Sequence, residues 1–572
     1  MSPRPPAIVI LGPGSLGAAR RVQQTLAGSI VHGLAERVTE ADSGFTNFGE
    51  TLRQLFTDDV PLVVFCAAGI VIRTLAPLLQ DKRVEPPVIA VAEDGSAVVP
   101  LLGGLRGVNE LARAVGDGLG TLPAITTTGE VRFGATIEQV PAGYEVRNPG
   151  DSKRFMSDLL AGERVRLLGV APWLRDSKLP FGDTGRLSIR VTPQDVEPAE
   201  GELVIHPHSV LIALTGGGSD LLQHAMSALK SRNLALQAVA AIIAAESEAA
   251  DPGVLATAEA LHRPLRFLTG ARSAEALLAA ARPKLANIPF SDGLIAIAVE
   301  EEPIEVTTIG RGRGRLAVVG LGPGTADWLA PEARRELVSA TDIIGYETYV
   351  RMAGPFRADQ AVHPSDNREE LDRARHALRL AAQGRSVAVV SSGDPGIFAM
   401  AAAVMEALHS SDEPAWHGVE IAMIPGISAA QAAAARVGAP LGHDFCVLSL
   451  SDNLKPWEVI DLRLRAAASA DLAIALYNPL SRARPWQFDK ALEILRSYRQ
   501  PDTPVVLGRN VGRPDESVRV LPLGELVPEQ VDMRTVVLIG SSRTRRFPRA
   551  GGNAWLYTPR WYGAPSKASA GC

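Results

Sequence analysis

The sequence predicts an α/β protein of several domains, and three observations support this prediction. Strand-like apolar runs alternate along the chain with helical segments. The chain has 572 residues, several times the length of a typical domain. Its composition, 46% hydrophobic and 21% charged residues, is typical of a globular protein rather than a disordered or fibrous one. We therefore expect a two-lobed C-terminal α/β unit preceded by smaller α/β domains.

The first half of the chain divides into two α/β domains. Residues 1–134 contain the strand-like runs "AIVIL", "PLVVFCAAG" and "PPVIAVAEDGSAVVPLL", followed by the helical "VNELARAVGDGL". Residues 135–203 have a mixed pattern and are predicted to be a middle region with a linker, "VEPAEGE". A second α/β domain is predicted for residues 204–306, from "VLIAL" to "LIAIAVEE".

Residues 307–315, which include "GRGRGR", lack apolar periodicity and are predicted to be the main linker. Residues 316–545 contain six apolar runs, each followed by a short polar or glycine-bearing loop: "LAVVG", "SVAVV", "VEIAMIPG", "DLAIALYNP", "TPVVLGRN" and "TVVLIGSS". This pattern is typical of a two-lobed enzyme with a cleft at its strand ends. Residues 546–572 show neither helical nor strand periodicity in their apolar residues and are predicted to be a poorly ordered tail.

Targeting and metal-binding signals are weak. No apolar run reaches the roughly 18 residues of a membrane span. The first apolar run breaks at Gly12–Gly14, which is typical of a strand and turn rather than of a signal peptide. We expect a cytoplasmic protein without membrane or nucleic-acid partners. Cys66, Cys446 and Cys572 lie too far apart to indicate a disulfide framework or a metal site.

The loop "SSGDPGIF", residues 391–398, follows a buried strand pattern and carries two glycines and a carboxylate. Glycine allows a backbone to approach a ligand closely, and strand ends of α/β sheets bind ligands. Asp394 disfavours phosphate by charge repulsion, so a neutral or cationic ligand is favoured. The alternative is that Asp394 caps a helix and the glycines form turns.

A second glycine loop, "VGLGPGT" at residues 319–325, does not predict dinucleotide binding. The dinucleotide motif has a third glycine where this chain has Thr325, and an acidic residue at the end of the next strand. Asp342 begins the next strand pattern instead of ending it. Pro323 makes the loop rigid and able to lie against a ligand.

In order along residues 314–545, the chain carries "GLGPGTADWLAPEA", "IIGYETYV", "SSGDPGIFAMA", "IPGISAAQAAAARVGAPLGHDF", "SLSDNLKPWEVIDLRLRAAA", "LYNPLSRARPWQ" and "GRNVGRPDE". Together these motifs resemble the tetrapyrrole (corrin and porphyrin) methyltransferases, especially members that methylate C17 of precorrin-3B. The resemblance implies their two-lobed fold, S-adenosyl-L-methionine as cofactor, a tetrapyrrole substrate (precorrin-3B) and a homodimer. It also implies ring contraction to precorrin-4 in cobalamin biosynthesis.

The resemblance further implies a cofactor site, in which the acidic loop faces the cationic sulfonium and ammonium groups of the cofactor. Eight residues match family positions near the cofactor: Pro323, Gly393, Asp394, Ile397, Ser428, Ala429, Asn478 and Thr535. Core packing is the alternative role for Ile397 and Ala429, and helix capping is the alternative for Ser428.

Four arginines, Arg482, Arg484, Arg509 and Arg513, flank loops of the expected cleft and are candidates for binding substrate carboxylates. Exposure on a solvated surface is the alternative role. Residues 311–572 hold 31 basic and 28 acidic residues, whereas the first 310 hold 27 and 35. The basic excess suits an acidic substrate, although arginine-rich codon usage explains it equally well.

Methyl transfer by in-line displacement requires no protein nucleophile, so no catalytic residue is assigned. Ring contraction requires a base for a substrate hydroxyl. His363, His443 and Asp452 are candidates, each with a structural role as the alternative.

The first 300 residues resemble the cobalamin biosynthesis protein G group, which includes cobalt-precorrin-5A hydrolase. The likeness rests on "FCAAGIVIRTLAPLLQDKRVEPPVIAVAEDGSAVVPLLGG", "NELA" and "DPGVLATAEALHRPLRF". Leu105 stands where that group usually has histidine, and "LTGGGSD" lacks the expected cysteine and arginine. The departures favour a non-catalytic module that binds a corrinoid intermediate; an active hydrolase is the alternative.

Overall fold

The computed structural model describes residues 4–561 apart from positions 80, 83, 135, 136, 138, 139, 176, 217–219, 282–289, 358, 367, 368, 481–484 and 551–553. Within this part of the chain no helix is both long and apolar enough to cross a membrane.

The N-terminal unit is a doubly wound sheet in the strand order β3-β2-β1-β4-β5-β6. All neighbouring strands are parallel except β5 and β6. Helices α1 and α4 cover one face and α2 and α3 the other, so both faces bury apolar side chains. The elements are β1 Ala7–Ile10, α1 Leu16–Thr25, β2 Ile30–Leu34, β3 Ser43–Phe45, α2 Phe48–Thr57, β4 Leu62–Phe65, α3 Ala68–Leu75, β5 Val88–Val91, β6 Val98–Leu102, α4 Val108–Leu119 and α5 Thr128–Phe133.

A second sheet, β7-β10-β9-β8, occupies the region that the sequence analysis described as mixed. Its elements are β7 Tyr144–Val146, α6 Ser152–Leu160, β8 Val165–Leu168, β9 Leu187–Val191 and β10 Glu202–Pro207. They enclose a separate apolar core. In the structure, most of the described residues of the predicted middle region, 135–203, belong to this α/β unit, and the predicted boundary after residue 203 falls inside β10.

The third unit is a mixed sheet in the order β14-β15-β11-β12-β13-β16. Its elements are β11 Val210–Leu214, α7 Leu221–Ser231, β12 Val239–Ala245, α8 Pro252–Leu261, β13 Leu265–Leu268, α9 Ala274–Ala281, β14 Phe290–Ser291, β15 Ile295–Val299 and β16 Arg311–Gly312. Because β16 pairs with β13, the predicted linker 307–315 contributes an edge strand. Arg311 holds this strand through an ion pair with Glu246 at 2.6 Å.

The first lobe of the C-terminal unit is a parallel sheet in the order β19-β18-β20-β17-β21. Its elements are β17 Arg315–Gly320, α10 Pro331–Ser339, β18 Asp342–Tyr346, α11 Glu347–Ala353, β19 Ala361–Ser365, α12 Glu370–Ala382, β20 Ser386–Ser391, α13 Met400–His409, α14 Pro414–His417 and β21 Glu420–Ile424. Strands β17 and β20 are almost entirely buried because helices cover both faces.

The second lobe is a mixed sheet in the order β23-β24-β27-β25-β26. Its elements are α15 Ala429–Val437, β22 Gly438–Ala439, β23 Phe445–Ser449, α16 Trp457–Ser469, β24 Ala473–Tyr477, α17 Gln487–Tyr498, β25 Pro504–Arg509, β26 Ser517–Pro522 and β27 Thr535–Ile539. The predicted fold class, a two-lobed C-terminal unit preceded by smaller α/β domains, is confirmed.

The predicted tail contains two further strands, β28 Arg545–Pro548 and β29 Ala554–Tyr557. They pair antiparallel, and β29 also pairs with β22. Leu556 and Ala554 are buried in the core beneath α15. The predicted poor order does not hold for residues 546–548 and 554–557, because β29 obtains a partner, β22, from a distant part of the chain. Residues 562–572 lie outside the described residues.

Candidate functional site

A cavity of about 730 Å³ opens between the two lobes of the C-terminal unit. Its walls are the loops that follow β17, β20, β21 and β24, together with the segments between β25 and β27. All eight residues predicted from the sequence to hold the cofactor line this one cavity: Pro323, Gly393, Asp394, Ile397, Ser428, Ala429, Asn478 and Thr535. The topology brings them together because these loops all leave the same edge of their sheets.

Four glycines, Gly320, Gly322, Gly393 and Gly426, allow the loops after β17, β20 and β21 to pack backbone against backbone. The amides of Gly322 and Gly393 each donate to the carbonyl of the other, at 3.1 and 2.8 Å. A Cβ on Gly320 would lie 2.7 Å from the Gly393 carbonyl oxygen, and one on Gly426 would lie 2.2 Å from the same atom. Side chains are therefore excluded at this junction for steric reasons.

Gly393 is required for a different reason. Its φ of +71° is a left-handed conformation that other residues adopt at a cost, whereas a Cβ there would have no neighbour closer than 3.8 Å. The backbone of this loop is therefore bare on the side of the cavity. A bare backbone of this kind is suited to a ligand that packs closely against it.

The Asp394 carboxylate connects the second and third loops. One oxygen accepts from the Gly396 amide at 2.8 Å and the other from the Gly426 amide at 3.1 Å. Asp394 does not cap α13, which begins at Met400 with Ala399 as its N-cap. The side chain therefore lines the cavity and fixes the loop geometry, and the capping alternative does not apply to α13.

Ser428 both caps a helix and faces the cavity. Its hydroxyl accepts from the Gln431 amide, and the Gln431 side chain accepts from the Ser428 amide, which forms a complete capping box for α15. Next to it, the Tyr477 hydroxyl accepts from the Ala430 amide at 2.9 Å. Burial raises the pKa of Tyr477, so the phenol stays protonated at neutral pH.

Asn478 and Thr535 extend the cavity wall into the second lobe. Asn478 has a left-handed φ of +52°, which asparagine tolerates better than most residues, and its amide donates to the Ser449 hydroxyl at 3.0 Å. The Thr535 hydroxyl donates to Asp532 at 2.8 Å. Pro323, Ile397 and Ala429 add apolar surface, and Ala429 also packs on the core beneath α15.

The four candidate arginines have different positions. Arg513 lines the cavity, and its Nε donates to the Pro323 carbonyl at 3.1 Å. Arg509 is not among the lining residues and forms ion pairs with Asp532 at 2.9 Å and Asp515 at 3.6 Å. These ion pairs agree with the alternative role of Arg509, a residue on the solvated surface. Arg482 and Arg484 lie outside the described residues.

None of the three candidate bases is among the residues that line the cavity. His363 Nε2 lies 2.9 Å from the buried Asp342 carboxylate, at the amino end of β18, whereas the cavity is at the carboxyl end. His443 Nδ1 accepts from its neighbouring amide, and Asp452 accepts from Gln487 at 2.9 Å. These contacts give each side chain a structural role.

The sequence analysis missed several lining residues, notably Tyr346, Tyr349, Arg373, Met400 and Tyr477. The two first-lobe tyrosines pack edge to face with ring centroids 5.3 Å apart. Arg373 is 4% exposed and lies on the buried face of α12. A charged residue at an apolar position of a helical pattern was the one signal that could have identified it.

In the N-terminal unit, Leu105 lies in the turn between β6 and α4, and its neighbour Arg106 forms an ion pair with Asp59 that raises the Arg106 pKa. The Glu93 carboxylate lies against the loop after β1, since a Cβ on Gly14 would be 2.7 Å from it. Glu93 therefore places an acidic group at the strand ends of this sheet.

Two family models match the chain. Residues 315–527 match the tetrapyrrole (corrin/porphyrin) methylases, and residues 50–130 match the N-terminal domain of cobalamin synthesis protein G. Tetrapyrrole methylases take their methyl group from S-adenosylmethionine, so the cofactor predicted from the sequence is confirmed.

Curated relatives match the C-terminal unit. A precorrin-3B C(17)-methyltransferase from Sinorhizobium sp is 53% identical over 254 residues, which are 44% of this chain and 99% of that protein. Cobalamin biosynthesis protein CobIJ of Mycobacterium bovis is 52% identical over 261 residues, 45% of this chain, and the chain spans about half of its length.

The crystal structure of the methyltransferase CobJ is 52% identical and covers 43% of this chain and 100% of that one, with a TM-score of 0.41. The family model and the near-complete coverage of the Sinorhizobium relative agree with the motifs at the cavity. The chain therefore belongs to the tetrapyrrole methyltransferase family.

Proposed function

We propose that this chain transfers a methyl group from S-adenosylmethionine to C17 of precorrin-3B, with ring contraction to precorrin-4. The observation that carries the proposal is the cavity lined by all eight predicted cofactor residues. The 53% identity to a precorrin-3B C(17)-methyltransferase supports this choice of substrate. A role in cytoplasmic cobalamin biosynthesis, as a homodimer, belongs to the same proposal.

The residues of the cavity suit this cofactor. The bare backbone at Gly393 offers a close contact surface, and Asp394 places negative charge beside it. No described arginine or lysine forms an ion pair with Asp394, which accepts hydrogen bonds from two backbone amides. S-adenosylmethionine supplies a methyl group on a cationic sulfur. Pro323, Gly393, Asp394 and Ser428 would hold it, and the rigid loop junction would keep the donor in a fixed orientation, which is the main requirement of an in-line transfer.

The test is to incubate the full chain with S-adenosylmethionine and precorrin-3B and to follow the product by mass spectrometry. We expect a product that carries one added methyl group and a contracted ring, together with S-adenosylhomocysteine. A parallel reaction with the cobalt-containing counterpart distinguishes the two possible substrates. Turnover of that counterpart alone, or of neither compound, would contradict the proposal.

For the first half of the chain we propose a non-catalytic module that binds a corrinoid intermediate. Opening of a lactone requires a side chain that can move a proton near neutral pH, and histidine is best suited to that task. Leu105 cannot transfer a proton, and Arg106 stays protonated in its ion pair with Asp59. A link to the methyltransferase would raise the effective concentration of a shared intermediate.

The full chain is accordingly expected to leave the lactone of cobalt-precorrin-5A intact, whereas a Leu105→His variant is expected to gain hydrolysis. The measurement is acetaldehyde release together with the mass of the corrinoid. Leu105→Gln is the matched control, because it adds polarity without a group that titrates near pH 7. Hydrolysis by the unmodified chain would overturn the binding-module proposal and identify an acid such as Glu93 as the catalyst.

A further inference from the structure

Arg373 is a buried cation in the wall of the cavity. It lies on α12 and is 4% exposed, yet it is among the lining residues. Its Nε donates to the Ser365 hydroxyl at 2.7 Å, one terminal nitrogen donates to the Met400 sulfur at 3.2 Å, and the other donates to the Asp366 carbonyl. All three acceptors are uncharged, and a thioether is a weak acceptor.

Among the described residues, the hydrogen-bond donors and the charge of Arg373 are incompletely matched. A guanidinium has five N–H groups, and three of them are used among the described residues. No described carboxylate forms an ion pair with it, although the charges of Glu370, Glu369 and Asp366 act on it from a distance. Burial lowers the Arg373 pKa, but an arginine retains its proton. A buried charge without a direct counter-ion is unfavourable.

The surroundings favour an anionic ligand at this position. Burial raises the pKa of the Tyr349 phenol. The positive charges of Arg373 and Arg513 act against this rise, because both side chains lie near Tyr349. Arg513 lines the same cavity, and the one hydrogen bond of its side chain among the described residues is from Nε to the Pro323 carbonyl at 3.1 Å. Two guanidiniums and a phenol thus surround one part of the cavity, where Glu370 is a neighbouring carboxylate.

We infer that Arg373 binds a carboxylate of the tetrapyrrole substrate, with Tyr349 and Arg513 on the same side of the ring. This inference rests on the proposed function, because tetrapyrroles of this class carry acidic side chains around the ring. The planar fork of arginine matches a carboxylate through two parallel hydrogen bonds. A carboxylate on the cofactor offers the same chemistry, and the experiment separates the two sources.

The test uses two ligands whose binding does not require turnover. Uroporphyrin I, a porphyrin with a carboxylate at the end of every side chain, is titrated by fluorescence quenching, and S-adenosylhomocysteine is titrated by calorimetry. We expect Arg373→Gln to weaken uroporphyrin binding about 30-fold and to change S-adenosylhomocysteine binding by less than about threefold. Arg373→Lys is expected to give an intermediate loss, because a lysine keeps the charge but not the fork.

Arg375→Gln is the matched control. Arg375 lies two residues further along α12, is 47% exposed and pairs with Asp372 at 3.2 Å on the solvent side. We expect this variant to bind both ligands like the wild type. The inference would be overturned if Arg373→Gln lost affinity equally for both ligands, lost affinity for S-adenosylhomocysteine alone, or bound uroporphyrin like the wild type. Failure of the wild type to bind uroporphyrin would also overturn it. Absence of methyl transfer with intact uroporphyrin binding would contradict the proposed function alone.

Discussion

Replacement of Gly426 by alanine is expected to weaken S-adenosylmethionine binding at least about 100-fold, or ~3 kcal/mol. The added Cβ would lie 2.2 Å from the Gly393 carbonyl oxygen and 2.9 Å from backbone atoms of Gly320. These neighbours are backbone atoms in a three-loop junction, so they cannot move aside as a flexible side chain can. The junction must open, and the loops that line the cavity must separate.

Calorimetric titration with S-adenosylhomocysteine, together with a melting curve of the full chain, measures this effect. Gly393→Ala is the comparison variant for the melting curve, because its Cβ meets no protein atom closer than 3.8 Å and only the left-handed backbone is unfavourable for the protein, by ~1–2 kcal/mol. We expect Gly393→Ala to lower the melting temperature less than Gly426→Ala, while its Cβ also obstructs the cofactor. Equal affinities for Gly426→Ala and the wild type would show that the three loops do not form the cofactor site.

The second large effect is expected for Asp394→Ala, which removes the acceptor of two backbone amides and the negative charge of the loop. Loss of a charged acceptor costs ~1–3 kcal/mol, so we expect a decrease of about 10- to 100-fold in affinity for S-adenosylmethionine. The melting temperature should change little, because Gly396 is exposed and water can replace one of the two bonds.

Asp394→Asn separates the two contributions of this residue. The amide is nearly isosteric, but it has a single acceptor oxygen and no charge. We expect intermediate affinity for the cationic S-adenosylmethionine and near-normal affinity for S-adenosylhomocysteine, whose sulfur is neutral. If Asp394→Ala lowered the melting temperature strongly while affinity was unchanged, the carboxylate would have a purely structural role.

The cofactor side of the cavity could be predicted because its determinants are local. A buried strand followed by a glycine loop specifies both the loop and its position at a sheet edge, as at Gly393 and Pro323. The family motifs, which occur in order along the chain, then assigned these loops to the cofactor. In the structure all of them line one cavity. The double role of Asp394 could not be predicted, since its second partner, Gly426, lies 32 residues further along the chain.

The bases and arginines show the limit of arguments from residue type. His363 was a reasonable candidate by chemistry, yet the direction of β18 and β19 places it beside Asp342, at the end of the sheet away from the cavity. Arg509 was equivalent to Arg513 by sequence, but Asp532 and Asp515 pair with it at the surface. The partners Asp342 and Asp532 lie 21 and 23 residues away from His363 and Arg509, so these contacts were not visible in the local pattern.

The sequence by itself determined the family, the cofactor and the loops that form its site, because glycine positions and strand ends are encoded over a few residues. The tertiary structure alone decided three features: the separate core of residues 133–205, the C-terminal strands, and the position of Arg373 in the cavity. Each depends on contacts between segments far apart in the chain. Residues 554–557 form a strand because Gly438 and Ala439 supply an edge, and Arg373 faces the cavity because α12 packs its other buried residues against β17 and β20.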